Sequence, residues 1–231
     1  MNILYMILML IASYLLGSIP FGLLVGKLKG IDIREHGSKN VGSTNVTRVL
    51  GFKFGILTFF CDFLKGALPI LLIKWILRWH DIYLFNNLDV SIIYGAAAAL
   101  GHIYPVFIKF KGGKAVATSV GAVVALSPLL GVFGIAMFFV LVFLTGYASH
   151  ASIIATTLVG IGMYLDVYVW QYALHGGPQV HLVNLIFITA MILLIIYKHR
   201  TNIVKLIKGT ENKFTFKKKK KDTDSDEKTN S

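Results

Sequence analysis

The chain has 231 residues, of which 55% are hydrophobic, and a mean hydropathy of +0.69. That is more apolar surface than a water-soluble domain of this length buries in one core, so a soluble globular fold is excluded. The formal net charge of +12 would suit nucleic acid or a membrane surface, and only its placement along the chain separates the two.

Apolar stretches of roughly 20 residues recur, matching the ~30 Å hydrocarbon layer of a bilayer, and the alternating pattern of a barrel strand is missing. The fold class expected is therefore an all-α polytopic membrane protein. In chain order, about seven spans are predicted: 3–26, 54–77, 90–107, 115–127, 129–147, 150–172 and 182–199. The first is a retained helix, since no basic residue precedes it as in a signal peptide. The fourth is short and ends at Ser127-Pro128, so one kinked span over 115–147 is the competing reading.

Cations fall on alternate loops: Lys27, Lys29, Arg34, Lys39, Arg48 and Lys53 after the first span, Lys109, Lys111 and Lys114 after the third, and Lys198, Arg200, Lys205 and Lys208 at the end. This asymmetry predicts an outside N-terminus, a cytoplasmic C-terminus and an odd number of spans. Residues 1–209 are expected to form the membrane-embedded domain, and 210–231, rich in Lys, Asp, Ser and Thr, a disordered cytoplasmic tail. The lysines at 217–221 suit anionic membrane lipids, at about 1 kcal/mol each near the surface, and no nucleic-acid partner is expected.

Polar chemistry collects in the cytoplasmic loops. Gly37 to Arg48 combines glycines, Ser38, Asn40, Thr44 and Asn45 with a guanidinium, a dense set of anion donors. Its glycines serve equally to let helices pack closely. Arg48 beside hydrocarbon costs roughly 2.5 kcal/mol if unpaired, which predicts an anionic partner. Gly112-Gly-Lys114 adds a second cation at a flexible turn, and the loops 37–46 and 112–120 share a weak repeat. Ser149 and Ser152, like His199 and Asn202, stand three residues apart, one helix face each. Asp62 and Lys65 share that spacing inside the second span and are expected to neutralise each other. No Walker A pattern and no cluster at metal-ligand spacing is present, so no metal or cofactor is expected.

Read together, these motifs resemble the bacterial membrane glycerol-3-phosphate acyltransferases that use acyl phosphate as donor. The resemblance runs nearly the whole chain: Gly17-Ser-Ile-Pro20, the Gly37 to Arg48 loop, Asp62-x-x-Lys-Gly66, Gly101-His-x-x-Pro105, Gly112-Gly-Lys114, Ser149-x-x-Ser-Ile153, His199-Arg-x-Asn202 and Gly209-Thr-Glu211. It implies acyl transfer from acyl phosphate to the first hydroxyl of glycerol 3-phosphate at the cytoplasmic face of the bacterial plasma membrane. It also implies catalytic roles for Ser38, Arg48, Lys114, His199 and Asn202, and substrate-binding roles for Asn40, Thr44, Asn45, Ser149 and Ser152. The resemblance further implies that no protein base is needed, the donor phosphate accepting the proton. Thr201, Ser43 and Ala115 depart from the family pattern, which has glutamate, alanine and glycine there; Glu211 is the nearest substitute for the missing charge. Two other classes remain open on the residues alone: a small-anion transporter or channel, and a lipid-binding protein without catalysis.

Overall fold

In the computed structural model, which describes residues 3–80, 91–166 and 178–214, every regular element is helical and no strand occurs among the described residues. The helices are α1 (Ile3–Ser18), α2 (Phe21–Leu28), α3 (Ser43–Leu50), α4 (Phe52–His80), α5 (Ser91–Ile103), α6 (Val116–Leu126), α7 (Pro128–Thr145), α8 (Ala148–Leu165), α9 (Pro178–Lys198) and α10 (Arg200–Ile207). A 3-10 turn, Val106–Ile108, follows α5. Pro20 separates α1 from α2 because it lacks the N–H that would continue the ladder.

Five stretches are long and apolar enough to cross a bilayer: Ile3–Leu28, Phe52–Ile76, Ser91–Ile108, Pro128–Thr145 and Ala148–Leu165. A sixth exists if Asn184–Lys198 and Arg200–Ile207, bent by 53° at His199, count as one. The expectation of about seven therefore exceeds what length and composition alone support. The difference lies in α6, whose 11 residues rise only ~16 Å against a ~30 Å layer.

The competing single span over 115–147 does not form. A Cβ on Gly131 would stand 2.7 Å from the Val124 Cα, so α7 folds straight back along α6 after Ser127. Glycines likewise bring α4 onto α6, where a Cβ on Gly66 would meet the Thr118 carbonyl oxygen at 1.9 Å and one on Gly121 the Phe63 carbonyl oxygen at 1.9 Å. In lipid, where burying apolar side chains gains little, such backbone contact is what holds helices together.

Between α4, α5 and the α1–α2 break lies a buried ionic cluster. Lys65 Nζ is 2.7 Å from Asp62 Oδ1 and donates to the Ile19 carbonyl at 2.9 Å, while His102 Nδ1 lies 3.5 Å from the same carboxylate oxygen. The ion pair neutralises two charges that hydrocarbon would not tolerate singly.

The expected break at residue 210 moves. Thr210 to Phe214 return to the body: Phe214 N–H donates to the Gly146 carbonyl at 2.7 Å and its ring packs against Val142, Ala148 and Ala151. The rest of the expected tail, 215–231, lies outside the described residues.

Candidate active site

The Gly37 to Arg48 segment is a tight loop running into a helix. Its organiser is Asn45, 1% exposed, whose Oδ1 accepts from the Ser38 N–H at 2.7 Å. The Asn45 Nδ2 donates to the carbonyls of Ile33, His36 and Asn40 at 3.0, 3.1 and 2.9 Å. Gly37 sits at φ +59°, and a Cβ there would approach Asn45 Oδ1 to 2.4 Å, so the loop closes only on glycine. Asn40 Oδ1 accepts from the Gly42 N–H at 2.9 Å, which turns the chain into α3. No side chain caps α3, whose first residues, Ser43 and Thr44, line the cavity, while the Gly42 N–H is already held by Asn40. That is an anion-binding end by geometry and by dipole.

Lys114 is presented by the second loop. Gly113 N–H donates to the His102 carbonyl at 3.0 Å and Gly112 N–H to that of Ile103 at 3.2 Å. A Cβ on Gly112 would lie 2.1 Å from the His102 carbonyl oxygen, and one on Gly113 2.1 Å from its Nε2, so both glycines are required for the loop to lie on α5.

The third wall is the bend between α9 and α10. His199 stands at the bend itself, not on a helix shared with Asn202, and its Nδ1 donates to the Ile195 carbonyl at 2.8 Å. Asn202 Oδ1 accepts from Lys114 Nζ, and Asn202 Nδ2 donates to Glu211 Oε1 at 2.9 Å. From α8, Ser152 Oγ donates to the Ala148 carbonyl at 2.8 Å, whereas the buried Ser149 Oγ makes no hydrogen bond.

Ser38, Asn40, Thr44, Asn45, Arg48, Lys114, Ser149, Ser152, His199 and Asn202 all line one cavity of about 290 Å³. The structure thus brings these ten candidate site residues to one place. It also divides them: the Asn45 amide is spent inside the loop and Asn40 holds a turn, so their part is to shape the site. Two residues join that the motifs did not offer as ligands: Glu211, with a buried unpaired Oε2, and Ser119, with a buried unpaired hydroxyl.

The field at this end is positive. Burial lowers Arg48 from its ordinary value, with Glu211 opposing. Burial draws Lys114 down to about 8; Glu211 opposes this, and Lys205, Lys198 and Arg48 add to it. An arriving dianion would relieve both groups.

The weak repeat between the two loops does not extend to their geometry. Lys39 is exposed at φ +60° and precedes α3 by a four-residue approach, while half-buried Lys114 leads into α6 through Ala115, which itself has φ +60°.

A family model described as glycerol-3-phosphate acyltransferase matches residues 7–209. The chain belongs to the glycerol-3-phosphate acyltransferase family. It is 50% identical over 225 residues to the glycerol-3-phosphate acyltransferase of Acholeplasma laidlawii, across 94% of this chain and 97% of that one. The crystal structure of PlsY (YgiH), an integral membrane glycerol 3-phosphate acyltransferase, in its glycerol 3-phosphate form matches with TM-score 0.75 and 42% identity, across 90% of this chain and 95% of that chain. Its lysophosphatidic acid form matches with TM-score 0.73 and 42% identity, across 91% and 95%.

Membership in the acyltransferase family makes the three departures instructive. Thr201 is exposed on α10, and the carboxylate beside Asn202 comes from Glu211. Ala115 holds a left-handed conformation better suited to the glycine expected there. Ser43 opens α3 at the cavity, where its hydroxyl adds a donor that alanine lacks.

Proposed function

We propose that this acyltransferase moves a fatty acyl group from acyl phosphate to the sn-1 hydroxyl of glycerol 3-phosphate, forming lysophosphatidic acid and inorganic phosphate. The observation that carries the reading is the make-up of the cavity. Its polar end is built from Ser38, Thr44, Arg48, Lys114, His199 and Asn202, and its continuation is apolar, lined by Ile92, Val123, Met163 and Ile188. Two anionic headgroups and one acyl chain need that combination.

In this reading the cations and the α3 N-terminus hold the acceptor and donor phosphates side by side. The sn-1 oxygen attacks the acyl carbonyl carbon, the carbon–oxygen bond to phosphate breaks, and the departing phosphate takes the hydroxyl proton. Acyl phosphate is already activated, so orientation and charge stabilisation supply the rate without a side-chain base. His199 suits an orienting role, since its Nδ1 is engaged by Ile195 and its other ring nitrogen remains for a ligand.

The topology that fits is seven crossings, with α6 as a short one, the N-terminus outside and the site at the cytoplasmic face of the plasma membrane. The lysine-bearing loops and the polar end of the cavity then share one side. Purified protein given glycerol 3-phosphate with either palmitoyl phosphate or palmitoyl-CoA tests the donor. Lysophosphatidic acid should form from palmitoyl phosphate alone; formation from the thioester alone would overturn the donor assignment.

A further inference from the structure

The deep end of the cavity has a floor at nearly one level on several helices. Counting down from the polar end, Ser152 to Met163 on α8, and His199 at the end of α9 to Ile188 within it, are each eleven residues, about 16 Å of helix. His102 to Ile92 on α5 and Val116 to Leu126 on α6 are each ten, about 15 Å. Cross-helix contacts agree with this levelling: a Cβ on Gly160 would touch Ile192, and one on Gly162 would touch Leu130.

At that level the space closes. Met163 and Ile188 are buried, at 8% and 4% exposure, and pack with Ile92, Leu126, Leu130 and Leu185. Leu130 and Leu185 belong to this cluster but do not reach the cavity, so they lie behind the floor. At about the same level, Tyr164 Oη pairs with Thr189 Oγ1 and ties α8 to α9. The exposed wall residues sit higher: Phe52 and Ile56 in the first two turns of α4, and Phe139 six residues before the end of α7. The upper part is thus open to the side and the lower part is closed.

We infer that Met163, Ile188 and Leu126 form a chain-length stop that sets the donor preference of this enzyme. The inference rests on the acyl-phosphate reading above. An extended chain advances roughly 1.2 Å per bond, a third of the residue repeat of an extended backbone, so about 16 Å holds an acyl chain of about 14 carbons. Shorter chains leave apolar wall uncovered, losing binding with each missing methylene. Longer chains must displace packed side chains or bend out toward the opening near Phe139 and Ile56.

The test is kcat/KM for decanoyl, myristoyl and stearoyl phosphate on the full-length protein in lipid mesophase, with glycerol 3-phosphate saturating. Wild type should be most efficient with myristoyl phosphate. Met163→Ala removes the floor and should raise the stearoyl-to-decanoyl ratio about tenfold, the worth of roughly two more buried methylenes. Ile188→Ala should move the ratio the same way, which guards against one variant failing to fold. Met163→Trp should lower it. Unchanged ratios in both alanine variants, with acyl transfer intact, would overturn the chain-length stop and leave the acyltransferase reading standing. No acyl transfer by wild type from any of the three donors would instead overturn the reading on which the stop depends.

Discussion

Asn202 donates from Nδ2 to Glu211 Oε1 at 2.9 Å, while its own Oδ1 accepts from Lys114. A carboxylate nine residues along the chain therefore fixes the amide that steadies the ammonium. Glu211→Ala should lower kcat/KM by roughly 10–100-fold, because a half-buried donor and a half-buried cation both lose support. Glu211→Gln keeps an acceptor and should retain more activity than the alanine variant. Steady-state kinetics of lysophosphatidic acid formation measures both.

Lys114 sets an alkaline limit. Its ammonium is drawn down to about 8 by burial, so it loses its proton as pH rises through that value. In the proposed reaction the charged form, present below about 8, is the one that holds phosphate. KM for glycerol 3-phosphate should therefore rise above pH 8, while kcat changes less, because bound dianion restores the proton. Lys114→Arg should remove the limit, since guanidinium stays charged throughout. A pH series at varied acceptor concentration reads the split.

Asn45 and Ser149 separate architecture from chemistry. Asn45→Ala strips partners from the Ser38 N–H and from three carbonyls and should cost roughly 2–3 kcal/mol of stability. Ser149 Oγ has no partner to lose, so Ser149→Ala should leave the melting temperature within error and alter the kinetics. Thermal melts in detergent, alongside activity, compare them.

Glycines in the same loops should respond differently. A Cβ on Gly112 meets the His102 carbonyl oxygen, which is backbone and does not swing aside, so Gly112→Ala should cost about 2 kcal/mol and displace Lys114. A Cβ on Gly42 comes no nearer than 3.3 Å to Asn40 Oδ1, so Gly42→Ala should be tolerated.

The sequence was legible where chemistry is local. Hydrophobic lengths located most helices, although the first span, expected as one helix over 3–26, is divided at Pro20, and residue types able to bind anions converged on one cavity. What stayed hidden depends on distance along the chain. Asn45 read as a ligand because its partners, the carbonyls of Ile33 and His36, lie twelve and nine residues away and carry no side-chain signal. The α3 helix was invisible in a segment rich in glycine and hydroxyls. Residues 210–214 read as tail because nothing in Gly209-Thr-Glu211 announces that Phe214 returns to α7 and α8. Ser119 sits near the start of an apolar helix, where a hydroxyl usually bonds its own backbone.

Acyl transfer from acyl phosphate is proposed at the Arg48 and Lys114 end of the cavity. Its most direct test is phosphate release from palmitoyl phosphate by purified protein, with and without glycerol 3-phosphate, beside an Arg48→Ala control. Release that depends on the acceptor, matches lysophosphatidic acid formed and is lost in the folded variant is the result expected. Release without acceptor, or equal turnover by the variant, would contradict it.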